Sequence, residues 1–280
     1  ASIDQCAIPR FPVSGDCLAV PTAHVNNRVG MMRKKYTLEM VLLWMVIALS
    51  LVGFSSLFLG EQTELTAYHV LHIITSLAWL LLLFGQLVLI RQHRFQLHRT
   101  AGVSIFIAGP LLVASLMLLS VHSASKAAVA GLADDLLVQN VMTTVEVALL
   151  VFLAFILRRN RNVHGSFLMS TALLFMGIAL FFTLISYVPR FKIEGPETFS
   201  RFADAGQASS LIVILVGLLF FLKNWRTGWP WILASSFFSL NGLFQVYLDN
   251  TDRTEPLTVI VASIGRAPAF GLSLLIFGAL

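Results

Sequence analysis

Imidazole is the side chain in this sequence with the most chemistry to offer. Five of the seven histidines fall between positions 69 and 122. His72, Trp79, Gln86 and His93 recur every seven residues along one apolar run. On an ideal helix that spacing drifts by only about 20° per step, so the four form a stripe. His98, Gly102 and Gly109 share a face of the following run, where glycine admits a second helix or a flat macrocycle close to the backbone. His69 and His72 open one apolar run and His122 closes the next, at the same end, whereas His93, His98 and His164 gather at the opposite end.

Two imidazoles on different helices, level with one another and facing one gap, are what a six-coordinate b-type haem takes from a protein. His98 and His164 meet the depth part of that condition at one end. Arg91, Arg94, Arg99, Arg158, Arg159 and Arg161 lie beside them and are suited to pairing with haem propionates. His72 and His122 form the corresponding pair at the other end. Each pair also has a plainer reading, as interfacial histidines bonded to loops or lipid headgroups. A second feature is charge inside apolar runs, where Glu146 and Arg266 occupy matched depths and are expected to face each other as an ion pair. Gln139, Thr143 and Glu146 follow i, i+4, i+7 spacing and give their helix a polar face. That face reads as a proton or ion path, or as a polar clamp between helices. Other chemistries find no footing: the sequence has no glycine-rich phosphate loop, no His-Glu-x-x-His, no thiolate cluster and no serine-centred elbow.

These residues must be positioned by helices in lipid. Of 280 residues, 57% are hydrophobic and 12% charged, and the mean hydropathy is +0.83. Soluble domains carry about 25% charged residues. The composition excludes a soluble domain and describes an all-α integral membrane protein whose first partner is the bilayer. A spanning helix needs about 20 residues. Apolar runs at 38–59, 66–90, 99–121, 137–157, 166–188, 208–222, 229–248 and 257–279 predict a bundle of eight transmembrane helices. No interval between them holds an extramembrane catalytic domain.

The net charge of +5 belongs to the loops and does not indicate nucleic acid. Arg33, Lys34 and Lys35, then Arg91, Arg94 and Arg99, then Arg158, Arg159 and Arg161, then Lys223 and Arg226 fall in alternate loops. The intervening loops carry Glu61, Glu64, Asp134, Asp135, Glu194, Glu197, Asp249 and Asp252. By the positive-inside rule the basic loops are cytoplasmic, and so are both termini. Trp225, Trp229 and Trp231 suit the headgroup level at that side. Residues 1–30 lack apolar periodicity and hold both cysteines, Cys6 and Cys17. They read as a disordered tail or an upstream leader ahead of a start at Met31 or Met32, leaving 31–280 as a single transmembrane domain.

The stretch from His72-Ile73 to Gln86, followed by His98-Arg99-Thr100-Ala101-Gly102 and by His164 after an arginine-rich turn, resembles a bacterial family of multi-span membrane proteins of unknown function with a recurrent His-Arg-x-x-Gly motif. More distantly it looks like the two-haem membrane cytochromes of the ferric-reductase-like and ascorbate-type cytochrome b group. The likeness covers about residues 66–188 and implies a four-helix redox core there. The depth clustering of the histidines beside the glycine face gives the expectation of a b-type electron-transfer protein of the bacterial inner membrane, with haem b as cofactor and a redox protein or a quinone as electron partner. The other expectation is a haem-free carrier or assembly factor that works through intramembrane polar groups, with Gly109-Pro110 and Ala267-Pro268 as helix interruptions.

Overall fold

The computed structural model describes residues 36–55 and 66–278. The 1–30 tail with its cysteines, the 31–35 basic segment, and Glu61 and Glu64 lie outside the described residues. Among the described residues the chain is helical throughout. In order, the helices are α1 (Thr37–Gly53), α2 (Ala67–Arg91), α3 (Phe95–Gly102), α4 (Ile105–Val129), α5 (Leu137–Ile156), α6 (Arg161–Tyr187), α7 (Arg201–Lys223), α8 (Trp229–Asn250), α9 (Thr254–Ser263) and α10 (Arg266–Gly278), with a 3-10 turn at Pro196–Thr198. Six of them, α2, α4, α5, α6, α7 and α8, are long and apolar enough to cross a membrane. This is the signature of a multi-pass membrane protein.

α6 is the axis of the bundle. It is buried without interruption from Phe167 to Gly177, as expected of a helix apolar on every side. α1, α5, α7 and α8 pack around it, α2 and α4 pair beside them, and α9 and α10 both rest on α4. Gly177 permits the α6–α8 approach, because a Cβ there would lie 2.8 Å from the Phe238 ring. On α7 the exposed Leu211, Leu215, Leu219 and Leu222 form a stripe facing outward, where lipid would cover it. Local signals start the helices. Thr66 Oγ1 lies 2.7 Å from His69 Nδ1 at the head of α2, and the Asn160 side chain accepts from the Val163 N–H at 3.3 Å at the head of α6.

The structure corrects three of the expected runs. The third does not begin at 99, because residues 95–102 form the separate helix α3, joined to α4 through tight i to i+3 bonds such as Ser104 N–H to Ala101 C=O at 3.1 Å. Gly102 and Gly109 therefore belong to two helices and do not share one face with His98. The sixth run is longer than 208–222, since α7 starts seven residues earlier at Arg201. The eighth is broken: α9 and α10 meet at 85°. Gly265 sits at the bend with φ +74°, a conformation glycine adopts without steric cost, and Pro268 is accommodated in the first turn of α10.

Candidate functional site

Antiparallel packing gathers the loops at two ends, one rich in arginine and one rich in acids. At the arginine-rich end α3 folds back on α2 and carries His98 to Gln86. With the Gln86 amide oriented to satisfy both of its ends, its nitrogen donates to His98 Nδ1 and, at 3.0 Å, to the His98 carbonyl, while its oxygen accepts from the Gly102 N–H at 3.2 Å. His164, in the first turn of α6, places Nδ1 2.7 Å from the Ala154 carbonyl at the end of α5. A carbonyl can only accept, so Nδ1 carries the proton and Nε2 keeps its lone pair. Burial, and after it the charge of His164, holds the His98 pKa below its usual value. The two rings expected at this end thus each have a partner of their own, Gln86 for His98 and the Ala154 carbonyl for His164. His93 lies apart from them, in the left-handed region at φ 59°, beside an open depression of about 430 Å³ that it lines with Arg94, Phe95, Gln96 and Leu97.

At the acidic end the second histidine group is assembled differently from the expected pair. His122 stacks on Tyr68, with ring centroids 4.9 Å apart, and meets His69 edge-on at 5.7 Å. His72 turns instead to α4, where its Nδ1 is 3.3 Å from Ser115 Oγ, which is in turn 2.6 Å from Thr75 Oγ1. His72 and His122 thus have separate partners. Deeper on the α2 stripe, the buried Trp79 donates Nε1–H to Thr171 Oγ1 at 3.0 Å. Among the described residues, no group of three or more His, Cys, Asp and Glu side chains converges as a metal site.

The Glu146–Arg266 ion pair is not formed. Among the described residues the ion pairs are Lys192–Glu194 and Lys223–Glu39. The break at Gly265 puts Arg266 at the head of α10, where its guanidinium lies 5.1 Å from the centre of the Tyr68 ring. Glu146 points from α5 toward α8, is 3% exposed and leaves Oε2 without a hydrogen-bond partner.

No family model, curated protein or solved structure matches this chain. Its site is read from its own geometry.

A second polar feature inside the bundle is the seam between α5 and α8. Asn241, Gln245 and Asp249 are spaced four apart on α8 and lie along one stripe. Opposite them are Gln139, Thr143 and Glu146 of α5. Asn241 donates to Gln139 Oε1 at 3.4 Å, and Gln139 donates to Thr143 Oγ1 at 2.7 Å, one turn before Glu146. Nearer the acidic end, Gln245 accepts from the Val138 N–H at 3.3 Å and donates to Asp249 Oδ1 at 2.9 Å. Thr254 Oγ1 also donates to that Asp249 oxygen, at 2.5 Å. Asp249 is exposed and Glu146 buried, so the polar side chains of the seam are spaced from solvent to the bundle interior, in two hydrogen-bonded groups with Glu146 beyond the inner one. The α5 half was legible in the sequence. The α8 half was missed, although the four-residue spacing of Asn241, Gln245 and Asp249 was its available signal.

Proposed function

We propose that this chain is a membrane carrier that loads and unloads a proton at Glu146 through the α5–α8 seam. The observation that carries the reading is a buried carboxyl with one unsatisfied oxygen, at the inner end of a polar string that opens at an exposed carboxylate. An ionisable residue inside a span is costly to retain and marks proton or substrate pathways. A carboxyl that accepts a proton there becomes neutral and removes the cost of a buried charge. Asn and Gln suit the path because each amide both donates and accepts, and so orients whichever group occupies the next position. The reading includes eight spans, with α1 as the first and α9–α10 as a broken eighth, both termini in the cytoplasm and a bacterial inner membrane as the location. The segregation of Arg94, Arg158, Arg159 and Arg226 from Asp134, Asp135, Asp249 and Asp252 supports that orientation.

A second reading, the b-type electron-transfer protein, is favoured by the His164 tautomer, whose Nδ1–H is held by the Ala154 carbonyl at the end of the bundle that also carries His98. Haem bound there would supply one-electron transfer. His164 would be able to hold the iron, since the Ala154 carbonyl fixes the tautomer that leaves Nε2 free. His98 fits only with the Gln86 amide reversed, because the present hydrogen bond makes Nδ1 the acceptor and places the proton on Nε2. One preparation tests both readings. In vesicles, difference infrared titration should reveal the carbonyl stretch of a protonated buried carboxyl, absent in Glu146→Gln and slowed in its response to external pH in Asp249→Asn. No titrating band would reduce the seam to a static clamp. Reduced-minus-oxidised spectra of the same protein, expressed with haem supplied, should be featureless. A sharp low-spin band lost in His164→Ala would establish the haem reading instead.

A further inference from the structure

The corner between α2, α4 and α10 at the acidic end has no part in the seam, yet it concentrates cationic groups. Arg266 lies over Tyr68, whose other ring contact is His122, and His69 closes on His122 from the same helix as Tyr68. Lys126 is one turn beyond His122 on α4, so the two share a face. Acids lie at this end of the molecule, but Asp134, Asp135 and Asp249 collect on the other side, around α5, α8 and α9. Neither Arg266 nor Lys126 has an ion pair among the described residues. Hydrogen-bonding capacity is left over as well. His122 Nδ1 is buried without a partner, and stacking under a guanidinium leaves the phenol oxygen of Tyr68 and the N–H edges of Arg266 uncommitted. Arg266 and Lys126 are both exposed, so a ligand can reach them.

We infer that this corner binds a phosphate-type oxyanion. Its donors come from three helices and from different directions: a planar fork from Arg266, a point charge from Lys126, a hydroxyl from Tyr68 and an imidazole from His122. A tetrahedral group with several acceptor oxygens can engage such a set, whereas a planar carboxylate would use only the fork. The bound anion would neutralise two cations that the fold itself leaves without an ion pair, beside the His122 ring whose buried Nδ1 has no other partner. The phosphate can belong to a soluble ligand or to a lipid headgroup. This site is independent of Glu146, so it stands or falls apart from the proton reading.

The test uses the full chain in nanodiscs of phosphatidylcholine, with inorganic phosphate titrated by calorimetry. A parallel arm counts phosphatidylglycerol retained from mixed nanodiscs by native mass spectrometry. Phosphate heat in the first arm identifies a soluble ligand, and preferential phosphatidylglycerol retention in the second identifies a lipid one. In whichever arm shows binding, Arg266→Gln should weaken it by about tenfold or more, the scale of a lost charge-assisted bond, and Lys126→Gln should weaken it less. Arg159→Gln, at the opposite end, should leave it unchanged. Both substituted side chains are exposed, so the fold should survive, and a thermal melt of each variant confirms it. Binding in neither arm, or binding unaffected by both Arg266→Gln and Lys126→Gln, would overturn the proposal.

Discussion

Trp79 shows how much a single buried polar atom can demand. Its ring is fully buried, and its one N–H is satisfied by Thr171 Oγ1. Thr171→Val keeps the volume but leaves the indole donor unmet, which costs about 1–3 kcal/mol. Thermal unfolding in detergent should show that loss, whereas Thr183→Val, whose hydroxyl returns only to the Ala179 carbonyl of its own helix, should show less. Trp79 was visible in the sequence as a member of the seven-residue stripe. Thr171 was not, because nothing in an apolar run tells which neighbouring helix a hydroxyl will meet. Asp135, in the loop before α5, supplies a pH dependence. Crowding of its carboxyl by protein atoms, and then the charges of Asp134 and Asp249, push its pKa up. The folded state thus holds this proton more tightly than the unfolded chain, and stability falls as pH rises from the ordinary carboxylate value through the raised one. Asp135→Asn should remove that part of the slope and raise the melting temperature at neutral pH.

At the scale of elements, the bend between α9 and α10 changed a residue-level expectation. A straight eighth helix would hold Arg266 at the depth of Glu146, but the left-handed Gly265 turns the chain by 85° and delivers Arg266 to Tyr68. Glu146→Leu and Arg266→Leu should then change stability independently, with the double variant equal to the sum within about 0.5 kcal/mol. A recovery in the double variant would show that the two charges meet. The separation of α3 from α4 is the same kind of effect. There the Gln86 amide bridges α2 to His98 and Gly102 of α3, a contact between helices that the apolar pattern of residues 99–121 does not reveal.

For the whole molecule, the alternation of basic and acidic loops makes a topological prediction. Reporter fusions after Arg94, Arg159 and Arg226 should read cytoplasmic, and fusions after Asp135, Glu197 and Asp252 external; one loop on the wrong side would remove the eight-span orientation. The sequence by itself determined the helical class, the approximate place of the six helices long and apolar enough to cross a membrane, the segregation of basic from acidic loops, and the polar face of α5. Each of these follows from transfer energies and charge placement that act residue by residue along the chain. Only the tertiary structure decided that His98 turns to Gln86 and His164 to the Ala154 carbonyl, that His72 turns to Ser115 while His122 turns to Tyr68, that Arg266 leaves Glu146, and that Asn241, Gln245 and Asp249 complete the seam. Those outcomes depend on helix rotation, on the hinge at Gly265 and on which faces meet. They are set by packing between helices distant in sequence, where periodicity fixes the face a residue shares but not the partner that face will find.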